Sequence, residues 1–192
     1  MSDHGSKQQR CGYVALVGRP NVGKSTLLNH VLGQKISITS RKPQTTRRNL
    51  IGVDTQEADQ AIYVDTPGIH QQTERELNRY MVSNATSALS DVDLLVVLIE
   101  GGKTTPADEH VLKLVAAHKV PKFAVLSKVD LIKDKALLLP QMQALGELNL
   151  FDQIVPLSAL KEDGVASFRD NVFQRLPLGK HFFADDEVTD QP

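Results

Sequence analysis

Three short stretches of the chain are almost entirely apolar: YVALV at 13–17, LLVVLI at 94–99 and FAVLS at 123–127. Parallel strands produce such runs when helices cover both faces of their sheet, because every successive side chain is then buried. Segments whose apolar residues recur at the spacing of an α-helix lie between these runs. This alternation predicts an α/β fold, a mostly parallel six-stranded sheet with helices on both faces. The predicted strands cover 12–17, 50–54, 61–65, 94–100, 122–127 and 154–157, and the predicted helices cover 24–32, 74–89, 108–118, 134–148 and 165–175.

Composition narrows the class of protein further. Of the 192 residues 41% are hydrophobic and the net charge is -1, which excludes a globally basic nucleic-acid coat and a highly charged disordered chain. The longest apolar run has six residues, against roughly 20 in a membrane span. A single cysteine excludes an internal disulfide and a cysteine-built zinc site. We therefore expect a cytoplasmic protein with no secretory signal in its polar first residues.

The expected domain organisation has three parts. Residues 1–10 are predicted to form a flexible arm, and 11–177 to form one nucleotide-binding domain. Residues 178–192 end in ADDEVTDQP and are predicted to be an acidic tail or the beginning of a linker.

The segment after the first predicted strand matches a phosphate-binding motif. Residues 18–25 read GRPNVGKS, which satisfies G-x-x-x-x-G-K-[ST] between a strand and a helix and predicts a P-loop NTPase fold. Backbone N–H groups there would surround the phosphates, Lys24 would bind the β- and γ-phosphates, and the Ser25 hydroxyl would bind Mg2+. The predicted binding residues of this loop are Gly18, Arg19, Pro20, Asn21, Val22, Gly23, Lys24, Ser25 and Thr26.

A second motif follows the third predicted strand. Asp65, Thr66, Pro67 and Gly68 form a D-x-P-G turn, in which Asp65 would hold Mg2+ through water and the Gly68 N–H would bind the γ-phosphate. The next residue, Ile69, cannot orient a water molecule as a glutamine would, so slow intrinsic hydrolysis is expected.

The polar segment KPQTTRR, between the first helix and the second strand, contains a further expected metal ligand. Thr46, or its neighbour Thr45, would close over Mg2+ when a triphosphate is bound. Its basic residues are either RNA contacts or a solvated surface, and the sequence leaves both open. These residues are Lys42, Arg47 and Arg48 of the segment, together with Arg41 directly before it.

Two motifs at later strand ends predict recognition of guanine. In SKVD, the Asp130 carboxylate can accept hydrogen bonds from guanine N1–H and the 2-amino group, a pair of donors that adenine lacks. Lys128 would stack along the purine, with Ser127 and Val129 beside it. In the later SAL motif of Ser158, Ala159 and Leu160, the Ala159 N–H would donate to guanine O6. GTP is therefore the expected substrate.

Taken in this order, the motifs resemble the Era family of bacterial P-loop GTPases over about residues 11–190, and KISITSRKPQTTR is the most discriminating stretch. The resemblance implies Lys24, Thr46 and Gly68 as catalytic groups and a monomer that acts in 16S rRNA processing and small-subunit assembly. It also implies peripheral association with the inner face of the cell membrane, and K+ activation with Asn21 as a ligand. The family carries a KH-type RNA-binding domain after the GTPase domain, and no GxxG loop of that kind occurs in these 192 residues. The family has asparagine where this chain has Ser127.

Two other functions remain open at this stage. The first is a nucleotide-gated binding module with negligible turnover, in which Ser127 has weakened the base site. The second is a P-loop small-molecule kinase, against which D-T-P-G and S-K-V-D argue because a kinase of that kind has no need of a guanine-reading segment.

Overall fold

The computed structural model describes residues 9–33, 49–65 and 92–183. Within them, six strands form one sheet in the order β2-β3-β1-β4-β5-β6. All neighbouring strands are parallel except β2, which pairs antiparallel with β3. This confirms the predicted α/β fold with a mostly parallel sheet. The strands are β1 Cys11–Val17, β2 Asn49–Gln56, β3 Asp59–Asp65, β4 Leu94–Glu100, β5 Lys122–Ser127 and β6 Gln153–Pro156.

Four α-helices cover the two faces of the sheet in the described part of the chain: α1 Lys24–Leu32, α2 Pro106–Ala116, α3 Leu138–Glu147 and α4 Val165–Arg175. Side chains of β4 alternate between two core clusters, with Val96 in the cluster that contains α1 and α4 residues and Val97 in the one that contains α2 and α3 residues. Both valines are fully buried. The continuous apolar runs of the sequence therefore have the predicted cause, burial on both faces.

The α2 helix begins two residues before the predicted start at 108. Thr105 and Asp108 form a capping box, in which the Thr105 side chain accepts from the Asp108 N–H and the Asp108 carboxylate accepts from the Thr105 N–H. Pro106 occupies the first turn, where its missing N–H costs no hydrogen bond. Asp108 therefore lies inside the helix as a cap partner, not at its start.

The predicted helix 134–148 is divided in the structure. A 3-10 turn, Lys135–Leu137, precedes α3, and the Asp134 side chain accepts from the Ala136 N–H at its start. Pro140 is the third residue of α3 and lies in its first turn, where proline is tolerated. In a continuous helix from 134 the same proline would lie in the interior and would remove a backbone hydrogen bond. The predicted helix 74–89 lies outside the described residues.

Residues just after α4 pack against the beginnings of β1 and β3. The buried Gln60 side chain accepts from the N–H groups of Phe182 and Phe183, both at 3.1 Å, and donates to the Phe183 carbonyl at 3.0 Å. The Tyr13 and Phe182 rings stack with centroids 5.3 Å apart. The packed body thus includes residues beyond 177, and the division into arm, domain and tail stays a prediction. None of the helices in 9–33, 49–65 and 92–183 has the length and the apolar composition of a membrane span.

Candidate functional site

Four neighbouring parallel strands, β1, β4, β5 and β6, end at the same edge of the sheet. The GRPNVGKS loop follows β1, the SKVD segment spans the end of β5, and SAL follows β6. Ligands of open α/β sheets bind at this edge, beyond the carboxyl ends of the strands. The strand order therefore brings together three motifs that are spread over residues 18–160 of the sequence.

The GRPNVGKS loop depends on two glycines with positive φ. A Cβ on Gly18, at φ 153°, would stand 2.6 Å from the Leu98 carbonyl oxygen, closer than any side chain permits. Gly23, at φ 108°, is the N-cap of α1, and this helix has neither a side-chain cap nor an acidic residue in its first turn. Its first N–H groups and the positive end of its dipole are therefore suited to an anion.

Lys24 lies folded across this loop. It is 5% exposed, and its Nζ donates to the Gly18 carbonyl at 2.7 Å and to the Arg19 carbonyl at 2.8 Å. The ammonium group is thus held at the centre of the loop by backbone oxygens. Ser25 and Thr26 follow in the first turn of α1 and are exposed.

Asn21 and its neighbours complete the loop. Asn21 is exposed and has a left-handed conformation, φ 60°, which asparagine tolerates better than most residues. Pro20 precedes it on the exposed side, whereas Val22 is fully buried in the core. The buried valine anchors the middle of the loop to the domain.

Ser127 connects the end of β5 to the phosphate loop. It is 3% exposed, and its hydroxyl donates to the Val22 carbonyl at 2.6 Å, with the Ile99 carbonyl at 3.3 Å. The next residue, Lys128, has a left-handed conformation at φ 57° and marks the turn out of the strand. The Ser127 hydroxyl therefore makes a direct hydrogen bond between the two segments.

Asp130 is positioned by the third motif. Its Oδ1 accepts from the Ser158 hydroxyl at 2.5 Å, and the Val129 N–H donates to the Leu157 carbonyl at 3.3 Å. A carboxylate oxygen accepts more than one hydrogen bond, so this contact fixes the group without filling its acceptor capacity. The sequence placed Ser158 in the site but gave no sign of this contact.

The last two SAL residues differ in exposure. Ala159 is 8% exposed, whereas Leu160 is 69% exposed. The Ser158 N–H donates to the Asp163 carbonyl at 2.9 Å, and this bond closes the loop that holds both. The loop is thereby fixed beside the SKVD segment.

Sequence reasoning missed one side chain at this edge, Glu100 at the end of β4. Its carboxylate forms an ion pair with Arg19 of the phosphate loop and lies 3.5 Å from Lys128 Nζ and 3.0 Å from Lys103 Nζ. Burial raises the pKa of Glu100, but hydrogen bonds from Lys103 and Arg19 and the charge of Lys128 outweigh it, so the pKa lies below its ordinary value. The only signal in the sequence was an acidic residue directly after an apolar run.

Several predicted site residues lie outside the described part of the chain: Thr46, Thr66, Pro67, Gly68 and Ile69. Asp65 is described as the last residue of β3, opposite Asn49. Within the described ranges, no group of three or more His, Cys, Asp or Glu side chains is arranged to hold a metal ion. The Ser25 hydroxyl, exposed next to the buried Lys24, fits a Mg2+ ligand that shares the ion with phosphate oxygens.

A cavity of about 320 Å³ lies elsewhere, between the β2–β3 turn and α4. Its lining includes Gln56, Asp59, Asp170 and Phe173. Because β3 begins at Asp59, this cavity is at the opposite edge of the sheet from the three motifs. We place the functional site at the strand ends, where the glycine loop and the buried lysine are.

Comparisons with known proteins show which proteins this chain is similar to. Residues 13–128 match the family model described as 50S ribosome-binding GTPase. GTPase Era of Marinobacter nauticus is 52% identical over 184 residues, which are 96% of this chain and 60% of that protein. The chain thus spans about three fifths of the length of this relative.

Two solved structures are similar to the chain over nearly its whole length. One is Era in complex with MgGDPNP and nucleotides 1506–1542 of 16S ribosomal RNA, with TM-score 0.75, 36% identity and coverage of 96% of this chain and 63% of that one. The other is a variant of Aquifex aeolicus Era bound to GDP.AlF4-, with TM-score 0.74, 36% identity and coverage of 95% and 62%. Since the family model matches more than half of the chain, the chain belongs to the 50S ribosome-binding GTPases, and it is similar to Era proteins over almost all of its length.

Proposed function

We propose that this chain is a switch domain that binds GTP and hydrolyses it to GDP and phosphate. The observation that carries the proposal is the direct linkage of the predicted motifs at one edge of the sheet. Ser127 bonds to the phosphate loop at Val22, and Asp130 bonds to Ser158 of the SAL loop. A cationic anion-binding loop and a fixed carboxylate side by side suit a guanine nucleotide.

Asp130 is proposed to select the base. With one oxygen held by Ser158, the carboxylate is oriented before any ligand arrives. It would accept the N1–H and 2-amino donors of guanine, and adenine would leave the carboxylate without that pair. Lys128 would lie along the purine, and the Ala159 N–H would donate to O6.

Lys24 is proposed to bind the β- and γ-phosphates. Its ammonium group already lies inside the loop, so the positive charge needs little rearrangement when phosphates enter. Water would attack the γ-phosphorus while the bond to the β–γ bridging oxygen breaks. Thr46 and Gly68 are the further groups proposed to contact the γ-phosphate, and Ile69 is the reason to expect slow turnover.

Mg2+ is the proposed cofactor, with Ser25, Asp65 and Thr46 as the residues that would hold it. When bound, it neutralises negative charge on the phosphates. The exposed Ser25 hydroxyl at the start of α1 supports this assignment, and the Era structure with MgGDPNP shows that a relative binds the same ion with a triphosphate analogue.

K+ is proposed as a second cation, with the Asn21 side-chain oxygen as one ligand. The support is the exposed position of Asn21 within the loop and the absence of a water-orienting amide at Ile69. GTP turnover at equal ionic strength should be faster in KCl than in NaCl, and the difference should vanish in Asn21→Ala. A potassium effect that persists in that variant would contradict the role of Asn21.

The proposed cellular role follows from the family. Era was solved with a fragment of 16S ribosomal RNA, and we propose that this protein acts on 16S rRNA and the small ribosomal subunit from the cytoplasm or the inner membrane surface. Because its net charge is -1, this chain alone, which we expect to be a monomer, should bind 16S RNA weakly and with strong salt dependence. Sub-micromolar, sequence-specific binding by this chain alone would contradict that expectation.

A competition experiment tests the central proposal. GTP should displace bound, labelled GDP, and the same concentration of ATP should not. The same sample should release phosphate from GTP only when Mg2+ is present. Lys24→Ala serves as the control, since it removes the phosphate-binding cation. Equal competition by ATP would refute guanine recognition, and tight GTP binding without phosphate release would favour the nucleotide-gated binding module.

A further inference from the structure

Glu100 lies between the two halves of the proposed nucleotide site. The strand order β1-β4-β5 places its carboxylate between the phosphate loop after β1 and the SKVD segment at the end of β5. The side chain is 15% exposed. Its Oε2 contacts both Arg19 of the loop and, at 3.5 Å, Lys128 of the segment. A single oxygen thus lies between one cation from each half.

The cations around this carboxylate outnumber the anions. Arg19, Lys103 and Lys128 face Glu100, and the second carboxylate in the cluster is that of Asp108. Asp108 is buried, and its Oδ2 accepts hydrogen bonds from the Thr105 N–H and hydroxyl. Its Oδ1 lies 3.3 Å from Arg19 Nε, but these two atoms do not form a hydrogen bond. The charge that can hold Arg19 and Lys128 together is therefore that of Glu100.

The loop that follows β4 is braced against α3. Gln141 accepts from the Gly102 N–H at 2.8 Å and donates to the carbonyl oxygens of Glu100 at 3.1 Å and Lys103 at 3.0 Å. The Gly101 N–H donates to the Ser127 carbonyl at 2.8 Å. The backbone that carries Glu100 is thus fixed both to the helix and to the residue that begins the SKVD segment.

From these contacts we propose that Glu100 is a positioning residue that couples the phosphate loop to the base-reading segment. It does not touch the nucleotide. It holds Arg19 and Lys128 in one ionic cluster, so that each half of the site is ordered by the other. The inference rests on the proposed function, since it concerns the binding of a guanine nucleotide at this site.

The coupling is tested by a double-mutant cycle in two backgrounds. Arg19→Met and Lys128→Met remove the two charges and keep apolar stems, and the dissociation constant for GDP with Mg2+ is measured for each and for both together. Each single variant weakens GDP binding by some factor, and independent effects would multiply in the double variant. With Glu100 present, the double variant should bind GDP at least about fivefold more tightly than that product predicts, because coupling between two sites typically begins at about fivefold. With Glu100→Gln, the two effects should multiply to within about twofold.

Two further measurements separate coupling from general damage. Glu109→Gln removes an exposed carboxylate from the first turn of α2 and should leave the GDP dissociation constant within about twofold of the unaltered chain. The coupling between Arg19→Met and Lys128→Met should weaken as NaCl rises from about 0.05 to 0.5 M, because it is ionic. This salt series uses chains that retain Glu100, so it is decisive even where Glu100→Gln does not fold.

Each outcome bears on a different conclusion. Independent effects of Arg19→Met and Lys128→Met with Glu100 present, or coupling that persists unchanged in Glu100→Gln, would overturn the proposal. If the unaltered chain binds no GDP, the proposed function itself fails. If it binds GDP and the effects are independent, only the role of Glu100 is refuted.

Discussion

Removal of the Ser127 hydroxyl tests how the base-reading segment is joined to the phosphate loop. Ser127→Ala deletes a 2.6 Å hydrogen bond to the Val22 carbonyl from a site that is 3% exposed. A neutral hydrogen bond contributes about 0.5–1.5 kcal/mol net, and a buried partner left unpaired costs about 1–3 kcal/mol. We therefore expect the free energy of unfolding to fall by about 1–3 kcal/mol.

This loss converts to measurable shifts. For a chain of this size, 1 kcal/mol lowers the melting temperature by about 2–4 °C, so Ser127→Ala should melt about 2–12 °C lower. Because Val22 belongs to the phosphate loop, part of the cost falls on nucleotide binding, and the GDP dissociation constant should rise by up to about tenfold. Calorimetry gives both quantities from one preparation.

Ser167→Ala is the matched control. Ser167 is exposed on α4, so the same change there should leave the free energy of unfolding within about 0.5 kcal/mol. Equal melting temperatures and GDP affinities for Ser127→Ala and the unaltered chain would refute the argument that this hydroxyl joins the two segments.

Ser127→Asn tests the same contact by adding a hydrogen-bond donor to the side chain. An added donor should contribute about 0.5–1.5 kcal/mol, which is a gain of about 2- to 13-fold in GTP and GDP affinity. An unchanged dissociation constant would show that the serine bond to Val22 already satisfies the site.

Three further predictions concern charged groups. Lys24→Ala should weaken GTP binding at least about 100-fold in a titration, since charged hydrogen bonds to phosphate contribute about 1.5–3 kcal/mol each. Normal GTP binding and normal turnover in this variant would contradict the assignment of the phosphate loop. The lowered pKa of Glu100 implies a contribution to stability that is present above its ordinary pKa of 4.5 and is lost as the pH falls through the pKa of the folded state. Between pH 7 and pH 3, the free energy of unfolding measured in urea should therefore fall less for Glu100→Gln than for the unaltered chain. Equal falls in the two chains would exclude this contribution. Arg169→Ala leaves the buried Asp54 carboxylate without the partner that donates two hydrogen bonds to it, and it should lower the free energy of unfolding in urea by about 2–4 kcal/mol. Arg175→Ala removes an exposed ion pair and should lower the same free energy by less than about 1 kcal/mol. Similar losses in the two variants would show that burial of the ion pair is unimportant.

Local sequence determined the sheet and the phosphate loop. The apolar runs at β1, β4 and β5 required burial on both faces, and this requirement needs no knowledge of which strand pairs with which. The GRPNVGKS loop was equally readable because its glycines, lysine and serine are consecutive. Helix boundaries were less accurate where caps decided them, as at Thr105 and Asp134.

Contacts between distant segments were decided by the tertiary structure alone. The bonds of Ser127 to Val22 and of Asp130 to Ser158 cross 105 and 28 residues, and Glu100 meets Arg19 across 81 residues. Each depends on strand order, which places β4 and β5 beside β1 and β6. The sequence named the chemical groups of the site, because their types and spacing are local. The sequence left open which of these groups contact each other. Those contacts depend on which strands are neighbours in the sheet, and no local sequence pattern specifies that order.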